Sequence, residues 1–134
     1  MEELKNIHKA FINHLGKENA KGLCHVISVC TMRWMNEISY LDQSWRLCLG
    51  KFSSNSISEE HYWLEGSSPS NGVENFLDMT ADQFGSKAPL LSIGRPPEYI
   101  LETNKETELT AILEAAAVDT WMPLVKEAVS RVDA

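Results

Sequence analysis

Apolar residues recur at helical spacing through the first fifteen positions. Leu4, Ile7, Phe11, Ile12 and Leu15 fall on one stripe, the pattern of a helix that buries one face. The spacing predicts a helix over residues 2–15 that stops at Gly16, since glycine commonly ends helices. The polar run "KENAKG" follows as a linker. Leu23, Val26, Ile27, Cys30 and Trp34 then trace a second apolar face, which predicts a helix over 22–36. That run is rich in β-branched residues, which are stiff in a helix, but nothing in it breaks one. After "NEISYLDQS" the period changes. Trp45, Leu47, Leu49 and Phe52 predict a strand with an irregularity at Gly50. "SSNSIS" reads as a turn and residues 60–65 as the next strand. "GSSPSNG" has strong turn chemistry, and 73–79 reads as a third strand, so 60–79 is expected to form an antiparallel hairpin. "LLSIG" and "PEYIL" are short strands separated by Pro96-Pro97. From about Glu106 the chain reads as helix, with Leu109, Ile112, Leu113 and Ala116 on one face. Pro123 lacks a backbone donor and is expected to kink or split that helix.

Helices followed by strands and a closing helix point to the α+β class, with helices packed on a small antiparallel sheet. The 134 residues fit a single domain spanning 1–134, without internal repeat, nucleotide-binding glycine loop or domain linker. A net charge of -7 disfavours nucleic acid as a partner, because that affinity comes mainly from Lys and Arg neutralising phosphates. The charged, amphipathic start lacks the apolar run of a signal peptide. No stretch approaches the roughly 20 apolar residues of a membrane span. The expectation is a cytoplasmic protein with no membrane partner.

Cysteine usage narrows the chemistry. Cys24, Cys30 and Cys48 make an odd count in a chain without a signal peptide, which argues against a disulfide framework. There is no C-x2-C pair and no His pair at zincin spacing, so neither a metal nor another cofactor is expected. Cys24 falls in the first turn of the predicted second helix. The N–H groups and dipole there favour an anion, so a thiolate is stabilised. A thiolate beside an imidazole is an activated nucleophile, and the imidazole needs an acceptor that fixes its tautomer. His61 begins one predicted strand and Asp78 ends the next. Facing residues on paired antiparallel strands lie about 5.5 Å apart, Cα to Cα, so the two are expected at the same end of the sheet.

The order Cys at a helix start, then "HYWLE", then "LDMTADQF" resembles the papain-like fold in its transglutaminase-like branch. More narrowly it is similar to small bacterial and phage proteins with a His-x-Trp strand and an Asp-x-Thr-Ala-Asp-Gln-Phe strand. The motifs cover roughly residues 20–85. His25 stands where a bulky aromatic usually follows the nucleophile. The resemblance implies a Cys24, His61, Asp78 triad and acyl chemistry on an amide or thioester. The reaction classes it leaves open are peptidase, glutamine deamidase and transglutaminase, acting on a protein or peptide substrate. Within that mechanism Asn19, and less directly Gln83, are candidate side-chain donors to the oxyanion, beside the Cys24 N–H. The other class of function is a papain-like module that binds a protein partner without catalysis.

Each residue also has an ordinary structural role to weigh. Free Cys is often a small buried apolar group, and Cys30, in phase with Val26 and Trp34, fits that description. Cys48 is out of phase with Leu47 and Leu49 and has no assigned role. His61 alone would be a solvated strand residue. Asp78 alone would cap the following turn, and Asp82 competes with it for the triad. Trp63 is core or groove wall. His25 reads as exposed, and His8 and His14 as surface positions of the first helix.

Overall fold

In a computed structural model, which describes residues 1–16, 24–68, 70, 72–84, 87–103 and 108–131, three helices pack on a five-stranded antiparallel sheet. The helices are α1 (Glu2–Leu15), α2 (Cys24–Ile38) and α3 (Glu108–Ser130). The strands are β1 (Ser44–Ser54), β2 (Ile57–Ser67), β3 (Glu74–Asp78), β4 (Leu90–Ile93) and β5 (Tyr99–Thr103), in the order β4-β3-β2-β1-β5. The α+β class and the element order follow the hydrophobic pattern closely.

Alternation along the strands sorts side chains onto two faces. Trp45, Leu47, Leu64 and Leu77 join Leu4, Ile7 and Phe11 of α1, Ile27, Cys30 and Met35 of α2, and Val125 of α3 in one core. Cys48, Phe52, Trp63, Phe76 and Tyr99 form a second cluster on the opposite face. There, Phe76 of β3 and Tyr99 of β5 have ring centroids 4.6 Å apart, although β2 and β1 lie between their strands. Three strand steps of about 4.8 Å would separate them by about 14 Å in a flat sheet. The sheet is therefore curled, with the aromatic cluster as its inner filling and the helices outside.

The connection from β4 to β5 has the same consequence. These strands are the two edges of the sheet, yet only residues 94–98 join them. A fully extended link of that length barely spans four strand steps, and this one is turned, with Tyr99 N–H donating to the Pro96 carbonyl at 3.1 Å. Curling brings the edges within its reach.

Gly50 lets β5 and the Trp63 ring approach β1 closely. It faces His61 across β1–β2 and sits where the β1–β5 register shifts. A Cβ at this position would lie 2.6 Å from Trp63 Cη2 and collide with the Ile100 carbonyl oxygen. Gly50→Ala is expected to cost about 2–3 kcal/mol, read as a lower urea midpoint at unchanged slope. A wild-type midpoint would mean that the sheet is not closed this tightly.

Of the two outcomes expected at Pro123, a kink or a split, the split does not occur. α3 continues through Pro123 rather than splitting. Pro123 is exposed, while Met122, Val125 and Ala128 are buried, so packing on the inner side compensates for the lost backbone bond.

Candidate active site

The tight turn at Asn55-Ser56 sets the β1–β2 hairpin, with Ser54 facing Ile57. The β2–β3 register pairs Leu64 with Leu77, which puts Asp78 level with Trp63. His61 and Asp78 are therefore diagonal neighbours on the same face rather than a directly facing pair. Diagonal positions remain within reach of long side chains. His61 Nε2 lies 2.8 Å from Asp78 Oδ2, and both residues are buried, at 1% and 0% exposure.

The carboxylate is held by more than the imidazole. Tyr99 Oη–H donates to Asp78 Oδ2 at 2.6 Å. The Thr80 N–H donates to Oδ1 at 2.9 Å, and the Thr80 hydroxyl approaches Oδ1 at 3.4 Å. Asp78 thus caps the turn after β3 with one oxygen and holds His61 with the other. Burial, followed by the charge of Asp78, pushes the Tyr99 phenol well above its ordinary value, so Tyr99 remains a donor. A carboxylate is an acceptor only, so the His61 proton on this side belongs to Nε2. In the neutral ring Nδ1 is then the basic nitrogen.

Aromatic rings enclose the pair. Phe84, on a short 3-10 helix (Ala81–Phe84), meets the His61 ring edge-on with centroids 4.8 Å apart and stacks on Phe52 at 3.9 Å. Tyr99 lies 6.2 Å from His61, centroid to centroid. The inner face of the curled sheet therefore carries a buried acid–base pair.

The start of α2 is placed by His25. Its ring lies 5.8 Å from that of Tyr62, the residue after His61, and α2 packs on β1 and β2. Tyr62 packs with the helical core and successive strand residues point to opposite faces, so α2 lies on the outer face of the sheet while His61 and Asp78 lie on the inner one. The backbone of α2 begins at Cys24; the side chains of Cys24 and Gln83, and the whole of Asn19, lie outside the described residues. His25, expected to be exposed, is half-buried, and burial lowers its pKa. Trp63 is fully buried and belongs to the inner core. His8, expected on the surface, faces Asp82 Oδ2 at 3.4 Å and is only 15% exposed, because the 3-10 helix folds against α1. Cys30 and Cys48 are both buried, and burial, with the nearby Glu65 carboxylate, pushes the Cys48 thiol up to about 12.

A second polar group lies further along the inner face of β2. Glu65 accepts from Trp63 Nε1–H at 2.7 Å, from Arg95 at 2.6 and 3.0 Å and from Arg46 at 3.2 Å. Burial alone would raise its pKa, but the Arg95 and Trp63 hydrogen bonds and the two guanidinium charges outweigh this and hold it below the usual carboxylate range. Tyr99, Thr80 and Glu65 are further polar residues of the site that the sequence pattern does not single out. Only Thr80 had a local signal, the Asp-x-Thr turn chemistry after β3.

Among the described residues no group of three or more His, Cys, Asp or Glu is placed to hold a metal ion, and no helix is long and apolar enough to cross a membrane. Comparison with protein-family models, with curated proteins and with solved structures finds no match.

Proposed function

We propose that the chain is a papain-like cysteine hydrolase or acyl transferase of the transglutaminase-like kind, acting on a carboxamide or peptide bond. The observation that carries this reading is the buried Asp78–His61 pair, with the carboxylate locked from behind by Tyr99 and Thr80. Such a locked carboxylate does for an imidazole what a base in nucleophilic catalysis requires: it fixes the ring and stabilises the imidazolium. Cys24, at the first turn of α2, is the nucleophile. His61 Nδ1 takes its proton. The thiolate attacks the carbonyl carbon, and the oxyanion is met by the Cys24 N–H, one of the N–H groups that a helix start leaves without an intrahelical acceptor, and by Asn19. The C–N bond breaks as His61 returns the proton to the departing ammonia or amine. Water then cleaves the thioester, or an amine does so in transamidation. Peptidase and deamidase differ only in the leaving group.

A second reading, a papain-like module that binds a protein partner without catalysis, is favoured by two observations. The helix that carries Cys24 packs on the face of the sheet opposite the one that carries His61. His61 is almost wholly buried, under Phe84 and Tyr99, and a base must reach its substrate.

Iodoacetamide labelling of each cysteine against pH, followed by mass spectrometry, separates the two. Cys24 is expected to label well below pH 8.5, the pKa of an ordinary thiol of about that value, and to lose this in His61→Ala. Cys30 and Cys48 are expected to label only on unfolding, since both are buried. A Cys24 that labels no faster than an ordinary thiol excludes catalysis and leaves the binding module.

A further inference from the structure

β4 is an edge of the sheet, bonded on one side only, to β3. Which of its backbone groups point outward follows from one hydrogen bond. Gly94 N–H donates to the Glu74 carbonyl at 3.0 Å, in register with the pairs Asn75–Ile93, Phe76–Ser92, Leu77–Leu91 and Asp78–Leu90. Antiparallel ladders alternate between bonded and non-bonded pairs. Ser92 and Leu90 therefore bond inward to β3, while Leu91 and Ile93 turn their N–H and C=O groups outward. Among the described residues these outward groups have no backbone partner. Edge strands are usually blunted by charge, proline or cover, yet Ile93 is 84% exposed on this one.

A cavity of about 630 Å³ opens at the start of the same strand, between α1 and residues 87–91. Leu90 and Leu91 form its floor, and Lys5, Lys9 and Lys87 its rim. All three lysines are exposed. Among the described lining residues the one carboxylate, Asp82, already faces His8. Lys5 also faces Glu2 at 3.6 Å, and Lys9 and Lys87 add two further cations at the same cavity in a chain of net charge -7.

We infer that the β4 edge and the lysine-rimmed cavity together bind an extended acidic peptide segment, which adds to the sheet as a sixth strand beside β4. Main-chain bonds to Leu91 and Ile93 supply register, as in other strand additions. Side chains alternate along a strand, so every second guest residue stands on the side of the sheet where Leu91 packs with the helical core. Acidic residues there meet Lys5 and Lys9. This inference is independent of Cys24, because it uses neither the thiol nor His61.

The probe is a fluorescein-labelled peptide of about eight residues alternating Glu and Val, long enough to pair along one strand. Fluorescence anisotropy is expected to show saturable binding that weakens with added salt. Binding should be at least about tenfold weaker for three changes: Lys in place of Glu, N-methylation of alternate guest amides, and Ile93→Pro in the protein. The last removes an outward N–H that the sheet itself does not use, so the fold is retained. Lys9→Glu with Lys87→Glu should weaken the acidic peptide and strengthen the lysine peptide. Cys24→Ala should bind as wild type, which keeps this result separate from the catalytic one. Absence of saturable binding, equal affinity for the two peptides, or unchanged affinity after N-methylation or Ile93→Pro overturns the inference.

Discussion

Asp78→Asn is expected to abolish the low-pH reactivity of Cys24 while the chain stays folded. Asparagine has nearly the shape of aspartate, so packing is preserved. Its one oxygen can still accept from Thr80, where two donors converge on Oδ1. The amide nitrogen then occupies the place of Oδ2 and points N–H groups at Tyr99 Oη and His61 Nε2. The phenol oxygen can accept one of them. The imidazole accepts the other only by giving up the proton on Nε2, which moves it to Nδ1. The nitrogen that serves as base in the proposed mechanism is then already protonated in the neutral ring. The comparable exchange in a serine triad lowers turnover about 10⁴-fold, and a loss approaching that size is expected for labelling of Cys24 near pH 7. The opposite amide orientation would point donors at the Thr80 N–H, leaving buried donors unsatisfied at about 1–3 kcal/mol.

Tyr99→Phe is the control. It removes one donor from Asp78 Oδ2 and leaves the His61 bond in place, so labelling should fall far less. The readouts are the labelling rate at each cysteine by mass spectrometry and the urea midpoint of each variant. If Asp78→Asn labels Cys24 at the wild-type rate, Asp78 does not set the state of His61 and the triad fails.

The hydrophobic periods made the elements legible because each depends on neighbours a few residues away. α1 has its expected bounds, β1 and β2 include the predicted strand positions, and β3, β4 and β5 overlap theirs with ends shifted by one or two residues. The irregularity expected at Gly50 is a register shift against β5. The curl of the sheet was not legible, because it arises between distant strands: from the short β4–β5 connection and from rings that meet only when the sheet curls. The candidate site divides in the same way. His61 and Asp78 were identified from local order and resemblance, and the structure bonds them, but by a diagonal step that depends on the β2–β3 register. Tyr99 reaches Asp78 from the far edge of the sheet, and no local pattern in "PEYIL" announces that. The same holds for Glu65 and Arg95, which are 30 residues apart.

That second pair carries the largest expected effect on stability. Glu65→Ala should destabilise the fold by about 3–5 kcal/mol, the range for breaking a buried ion pair from one side. Glu65 is 5% exposed and its two arginines about a third exposed, at 31% and 32%. The freed guanidiniums can therefore regain water, which lowers their share of the cost. Trp63 cannot. Its indole N–H is sealed in the inner core and would lose its acceptor, at about 1–3 kcal/mol. Arg95 lies in the segment that crosses from the β4 edge to the β5 edge, and Glu65 lies on the central strand, so the bond ties that crossing to the middle of the sheet. The melting temperature should fall by roughly 10–15 °C. Glu65→Gln should cost less, because it keeps an acceptor for Trp63. A Glu65→Ala, Arg95→Ala cycle should show coupling, since the two side chains share one network. The pH dependence has a definite sign. Glu65 is held below its ordinary value of 4.5 in the folded chain, so its stabilisation is fully present above that pH. It is lost as pH falls through the lower folded value. Glu65→Gln should flatten that part of the acid unfolding profile. An unchanged profile, or a Glu65→Ala variant as stable as the wild type, would show that Glu65 does not hold the crossing segment in place.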